Sequence, residues 1–143
     1  MPFSPVHLSR MELATEDLLV VTRNGELTDL LKAQSEMGPS ATAFANGKPV
    51  AVFGFVSIWK GVAEAWLIAD SGARHLPVTL TRYGKAAQDI AMISMGLHRL
   101  QITVRNTDNR AVKWARAIGY EQECVMRKYG PDQVDYLLMA RYK

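Results

Sequence analysis

Val104 to Tyr120, VRNTDNRAVKWARAIGY, decides how the chain is read. Val104 ends a segment in which Leu100, Ile102 and Val104 alternate with Gln101, Thr103 and Arg105, the period of a strand. Asp108-Asn109-Arg110-Ala111 opens a short helix of about Asp108 to Ile118, and Gly119 closes it, because glycine takes up the turn past a helix end at little cost. Tyr120 then starts a further strand, about Tyr120 to Lys128, joined across Gly130-Pro131-Asp132 to a last one, about Val134 to Arg141.

Working back, Pro77 to Met95 has helical period, with Leu80, Tyr83, Ala87 and Ile90 as an apolar stripe and Arg82, Lys85 and Asp89 largely away from it. Pro77 suits the first turn and Gly96 the stop. Val62 to Ala69 reads as a strand with Glu64, Trp66 and Ile68 on one side and Ala63, Ala65 and Leu67 on the other, ended by Asp70-Ser71-Gly72. Before it, Ala41 to Ala45, the turn Asn46-Gly47 and the β-rich run Val50 to Trp59 form a hairpin, and Lys60-Gly61 turns the chain again. Nearer the start lie a short strand around Val6 to Met11 and two helical segments, one capped by Thr15 and one beginning near Glu26, which Gly38-Pro39 stops. Strand, two helices, three antiparallel strands, helix, strand, helix and two strands make a mixed α/β sheet with helices on its faces.

The 143 residues suit one domain, 1–143, with no repeat or linker to divide it. Apolar residues at 48% and charged residues at 22% are ordinary for a globular chain. The net charge of +3 favours anionic ligands, but the basic residues are scattered, which argues against specific nucleic-acid binding. The start carries no export signal, and the longest nearly apolar segment, Pro49 to Trp59, is far below the roughly 20 residues of a membrane helix, so a soluble, cytoplasmic protein is expected. Cys124 is the sole cysteine, fits a reducing compartment and, in an alternating row beside Glu121 and Glu123, is expected to be a buried structural thiol. His7, His75 and His98 lack metal-ligand spacing, and no metal is expected. Met92, Met95, Trp59 and Trp66 read as core or groove fillers.

The order of elements, and above all the helix from Asp108-Asn109-Arg110-Ala111 to Gly119-Tyr120, resembles the GNAT family of N-acetyltransferases over nearly the whole chain. That resemblance implies a mainly antiparallel sheet with a splayed parallel central pair and helices on both faces. AEAWLIAD, Ala63 to Asp70, looks like the strand that splays from its neighbour, where backbone groups at Leu67 and Ile68 take the pantetheine arm of acetyl-CoA as an added strand. Asn106, Asn109 and Trp114 would complete the cofactor cleft. The family's phosphate loop, Gln/Arg-x-x-Gly-x-Gly/Ala, falls on Arg74-His75-Leu76-Pro77-Val78-Thr79. Arg74 is retained and His75 adds charge, but Pro77 has no N–H to give and Thr79 carries a side chain where the backbone must come close. Arg82-Tyr83-Gly84-Lys85-Ala86 has a similar flavour but falls inside the helical stripe.

For catalysis the resemblance points to Glu64, on the strand where family members often carry a base; a sheet-surface glutamate paired with a basic neighbour is the alternative. The family's usual proton donor, a tyrosine four residues before the Gly of Gly-Phe, is Ala115 here, after Trp114; Tyr120 and Tyr129 are stand-ins that also suit packing. The implied activity is acetyl transfer from acetyl-CoA to an amine of a small molecule or protein. A more diffuse resemblance, to GNAT-like internal virion proteins of podophages, implies weakened or absent catalysis and work through protein contacts, as a homodimer or with virion proteins.

Overall fold

The computed structural model describes residues 2–4, 6, 38–69 and 77–143, with the backbone alone at 69 and 77–80. Among these the elements are β1 (Ser40–Ala45), β2 (Lys48–Trp59), β3 (Val62–Ala69), α1 (Pro77–Ser94), β4 (Arg99–Arg105), α2 (Asn109–Ala117), β5 (Glu121–Met126) and β6 (Tyr136–Tyr142). The strand order is β1-β2-β3-β4-β6-β5, a mixed α/β sheet with β3 and β4 as the parallel pair. Each element lies within a few residues of the segment its periodicity indicates. The strand expected over 6–11, but for Val6, and the two helices after it lie outside the described residues. By contacts the chain divides into two compact units, Met1–Ser57 with Ala65–Pro77 and Ile58–Glu64 with Val78–Lys143.

In the first unit the β1–β2 hairpin turns on Asn46 and Gly47, whose φ of 51° and 75° are the left-handed pair a two-residue type I′ turn demands. The register runs from Ser40↔Gly54 to Ala45↔Lys48, with a bulge between Ala43 and Phe44. Ala51, Val52 and Phe55 are buried. The Trp66 ring lies over Gly54, where a β-carbon would stand 2.5 Å from it, and Phe3 meets the same ring edge-on at 6.0 Å.

In the second unit β4 pairs along its whole length with β6, from Arg99↔Tyr142 to Arg105↔Tyr136, and β6 pairs with β5. Strand alternation puts Leu100, Val104, Leu137 and Met139 on one face, all buried, beneath α1 and α2. Two contacts fix α1 there: Tyr120 Oη donates to Gln88 Oε1, and Arg141 pairs with Asp89. The second helix is capped by Asp108, whose Oδ1 accepts from Ala111 N at 3.1 Å.

Three expectations are corrected here. Tyr83 and Ile90 of the apolar stripe are exposed, while Ala91 and Met92 are buried. The reason is steric: the Trp114 ring sits on Gly84, where a β-carbon would stand 2.5 Å from Cζ2, so α1 turns its small residues inward and its larger apolar ones out. That contact also accounts for the glycine inside Arg82–Ala86 as a packing residue. Cys124 is exposed, because β5 is an edge strand whose alternation is broken by a register shift between Gln122 and Cys124. Trp59, at the end of β2, is exposed rather than a core filler.

Candidate active site

The parallel ladder between β3 and β4 is short. It pairs Val62↔Arg99, Ala63↔Leu100 and Glu64↔Gln101, and among the described residues it goes no further. From Ile102 onward β4 keeps β6 as its partner on one side, and among the described residues its backbone groups on the other side have no strand partner. Glu64 stands at the last rung.

What holds Glu64 is a chain of side chains on the sheet face opposite α1. Gln101 Nε2 donates to Glu64 Oε1 at 3.4 Å, and Gln101 Oε1 accepts from Arg99 Nε at 3.0 Å. The second bond fixes which end of the amide faces the carboxylate. Arg99 is itself held by a bidentate pair with Glu123, NH1 to Oε2 at 3.0 Å and NH2 to Oε1, while Tyr142 Oη donates to the same carboxylate. These contacts pull the Glu123 carboxyl down to about 2, Arg99 contributing most and Tyr142 next. Arg99 is therefore committed to Glu123 and Gln101, and among the described residues no Lys, Arg or His forms an ion pair with Glu64. A glutamate paired with a basic neighbour, the alternative the sequence leaves open, does not hold among these residues.

The tyrosines divide into two kinds. Tyr120 is buried, its hydroxyl given to Gln88 and its ring 5.8 Å from Arg141 Cζ; burial pushes its pKa far up and it serves packing. Tyr129 is exposed, and its hydroxyl makes no hydrogen bond to any described residue. Its ring meets Tyr136 in an edge-to-face contact, centroids 5.3 Å apart. Partial burial raises its pKa, and the charge of Glu64 raises it further, so the phenol keeps its proton. Below this pair Arg105 forms a bidentate ion pair with Asp132, with Tyr136 lending a smaller support to the arginine's charge.

Of the residues the sequence singled out, Glu64 is held by Gln101, and the stand-in Tyr129, which feels the charge of Glu64, meets the ring of Tyr136; sequence reasoning missed Gln101, Arg105 and Tyr136. Gln101 and Arg105 were visible as one side of an alternating strand, but their partners follow from the β4–β6 register, which the sequence does not state. Ala115 is buried, so no proton donor occupies that helix position. Trp114 is part-buried on Gly84, its Nε1 buried without a hydrogen-bond partner. Asn106 and Asn109 are exposed, at the turn after β4 and the first position of α2. In the first unit Leu67 is exposed and Ile68 buried. Pro77 is the first residue of α1, whose first turn carries no acidic residue, and Val78 and Thr79 follow it there. Arg74 and His75 lie outside the described residues. No group of three or more metal-ligating side chains occurs among the described residues.

Solved structures share this fold. Ard1 from Thermoplasma volcanium superposes with a TM-score of 0.75 at 15% identity, over 99% of this chain and 95% of its own. A GNAT-family acetyltransferase from Bacillus anthracis gives 0.74 at 14%, over 99% and 92%. The chain has the fold of the GNAT acetyltransferases. A GNAT acetyltransferase from Elizabethkingia anophelis, solved with acetyl-CoA bound, gives 0.65 at 12%, over 80% of this chain and 82% of its own. No protein-family model and no curated protein sequence matches the chain. Identities this low carry the GNAT fold and not the reaction.

Proposed function

We propose that the chain transfers an acetyl group from acetyl-CoA to an amine, with Glu64 as the general base and Tyr129 as the proton donor. The observation that carries this reading is the position of Glu64: a part-buried carboxylate at the last rung of a three-pair parallel ladder, held by Gln101 and paired with no cation among the described residues. A carboxylate kept clear of cations at the point where the strands stop pairing is free to accept a proton. Tyr129 supports the second role, since its phenol is protonated, solvent-accessible and without a hydrogen-bond partner among the described residues.

Acetyl-CoA is written here as the second substrate, supplying an activated thioester carbonyl and a thiolate to leave. The resemblance assigns its pantetheine arm to the β3 backbone at Leu67 and Ile68 and its phosphates to Arg74, His75, Pro77, Val78 and Thr79, of which Pro77 opens α1. Beyond Gln101 one side of β4 has no strand partner among the described residues, which suits an extended arm, whereas Pro77 at the first helical position lacks one of the N–H groups a phosphate needs. The fit is therefore that of a weak binder. In the reaction the amine loses its last proton to Glu64 as the N–C bond forms, and the departing sulfur takes the Tyr129 proton as the C–S bond breaks. Glu64 then gives up its proton to solvent and the Tyr129 phenolate regains one from solvent, which restores both groups.

Isothermal titration with acetyl-CoA and with CoA tests this reading. Saturable binding between micromolar and millimolar supports it, and no binding at millimolar concentration removes acetyl-CoA as a substrate.

A further inference from the structure

Among the described residues of the second unit, α1 leaves more large apolar side chains uncovered than any other element. Tyr83, Ile90 and Ile93 are 69%, 64% and 70% exposed, and Ala86 between them is exposed too. At about 100° per residue the four fall within one narrow arc of the helix, turned away from the buried Ala91 and Met92. The patch they make is on the order of 400 Å², the size at which an apolar surface marks a binding face.

Three features of this face point to a second copy of itself. The first is spacing. Residues 83, 86, 90 and 93 are separated by three, four and three positions, a run that reads the same in both directions. This is the alternation of a coiled-coil seam, and an antiparallel copy matches it layer for layer: Tyr83 meets Ile93 and Ala86 meets Ile90, twice each about a two-fold axis. The small Ala86 under the larger Ile90 lets the two helices approach closely.

The second is charge. The last turn of α1 carries no basic residue to offset the negative end of the helix, while Arg82 is exposed nearer its start. Antiparallel pairing brings Arg82 of each copy alongside the C-terminal end of the other helix, whereas parallel pairing sets the two basic halves, with Arg82 and Lys85, side by side. Asp89, the acid on this flank, is met within its own copy by Arg141 and Lys85. The third is area: two such patches with their polar rim bury on the order of 1,000 Å², the lower end for a specific interface, which sets a dimer of micromolar affinity.

We infer that the chain forms a two-fold dimer in which α1 packs antiparallel on α1 through Tyr83, Ala86, Ile90 and Ile93. This surface also explains why α1 turns its larger apolar residues outward. It is independent of any acetyl transfer.

Sedimentation equilibrium of the full chain across the micromolar range tests it. The wild type should pass from monomer to dimer over that range. Ile90→Lys and Ile93→Lys should each weaken the dimer at least about tenfold, and Ile90→Leu hardly at all. Both positions are exposed, so the lysine variants should keep the circular dichroism of the wild type. In a Cys124→Ser background, a mixture of Tyr83→Cys and Ile93→Cys chains should be joined to each other by a short bis-maleimide more readily than either is joined to itself. A chain that stays monomeric throughout overturns the inference, as does a dimer unmoved by both lysine substitutions. Cross-links confined to like chains overturn the antiparallel pairing. A monomer whose melting temperature falls in Ile90→Lys also overturns it, and assigns the cover of this face to a part of the same chain outside the described residues.

Discussion

Gln101 donates its side-chain amide to Glu64 across the last rung of the β3–β4 ladder, at 3.4 Å, while its oxygen accepts from Arg99 at 3.0 Å. The glutamine is thus a spacer that keeps the guanidinium of Arg99 from reaching the carboxylate. Gln101→Leu removes the donor with little change of volume. It should lower kcat/KM for acetyl transfer by about five- to tenfold, the worth of one net hydrogen bond, while leaving the acetyl-CoA Kd unchanged. A steady-state comparison of the two proteins checks this; an equal loss in acetyl-CoA affinity would place Gln101 in cofactor binding instead.

Gly84 lies under the Trp114 ring with no room for a β-carbon, which would stand 2.5 Å from Cζ2. Glycine to alanine inside a helix normally stabilises by about 1 kcal/mol, but overpacking costs about 1 to 3 kcal/mol. The steric term wins, so Gly84→Ala should lower stability by about 1 kcal/mol, read by urea unfolding. In a Trp114→Leu background, which opens that space, the same substitution should turn neutral or stabilising.

How far such features were legible in the sequence depends on the range of the interaction. Asn46-Gly47, Lys60-Gly61 and the Pro77 start of α1 were readable because a turn or a helix end is decided by a few adjacent residues. The buried face of α1 was not. The stripe Leu80, Tyr83, Ala87, Ile90 has the right period, yet the packing face is chosen by Trp114, thirty positions on from Gly84, and by Arg141, which pairs with Asp89. The burial of Cys124 failed for a related reason, since the register shift in β5 is set by its partner β6. At the candidate site Glu64 could be marked from its strand, and Tyr129 only as a stand-in for a missing helix tyrosine. Gln101, Arg105 and Tyr136 needed the pairing of β4 with both its neighbours.

The Glu123 carboxyl, held near 2 by Arg99 and Tyr142, has a pH consequence. A carboxyl whose pKa is depressed in the fold contributes stability above its unfolded value and loses it as pH falls toward its folded one. The wild-type melting temperature should fall as pH drops from about 4.5 to about 2, and Glu123→Gln should flatten that part of the curve. Solvent screens this exposed pair, so the difference should shrink further in high salt. Calorimetric scans of both proteins over that range check the slope.

Pro77 opens α1 without an N–H to offer a phosphate. One hydrogen bond to a charged group is worth about 1.5 to 3 kcal/mol, so Pro77→Gly should tighten acetyl-CoA binding by roughly 10- to 100-fold. The glycine also loosens the unfolded chain and costs up to about 1 kcal/mol of stability, so titrations belong at a temperature where both proteins are folded. Submicromolar binding by the unaltered chain would mean that Pro77 does not weaken the site.

The central claim, that Glu64 is the base of an acetyl transfer, is met most directly by the pH dependence of kcat/KM for acetylation of n-butylamine from acetyl-CoA, in the wild type and in Glu64→Gln. A general base contributes about 10²- to 10⁴-fold, so the account predicts a loss of at least about 100-fold in the variant, with its fold and acetyl-CoA affinity retained. A Glu64→Gln protein that matches the wild type at every pH would contradict it.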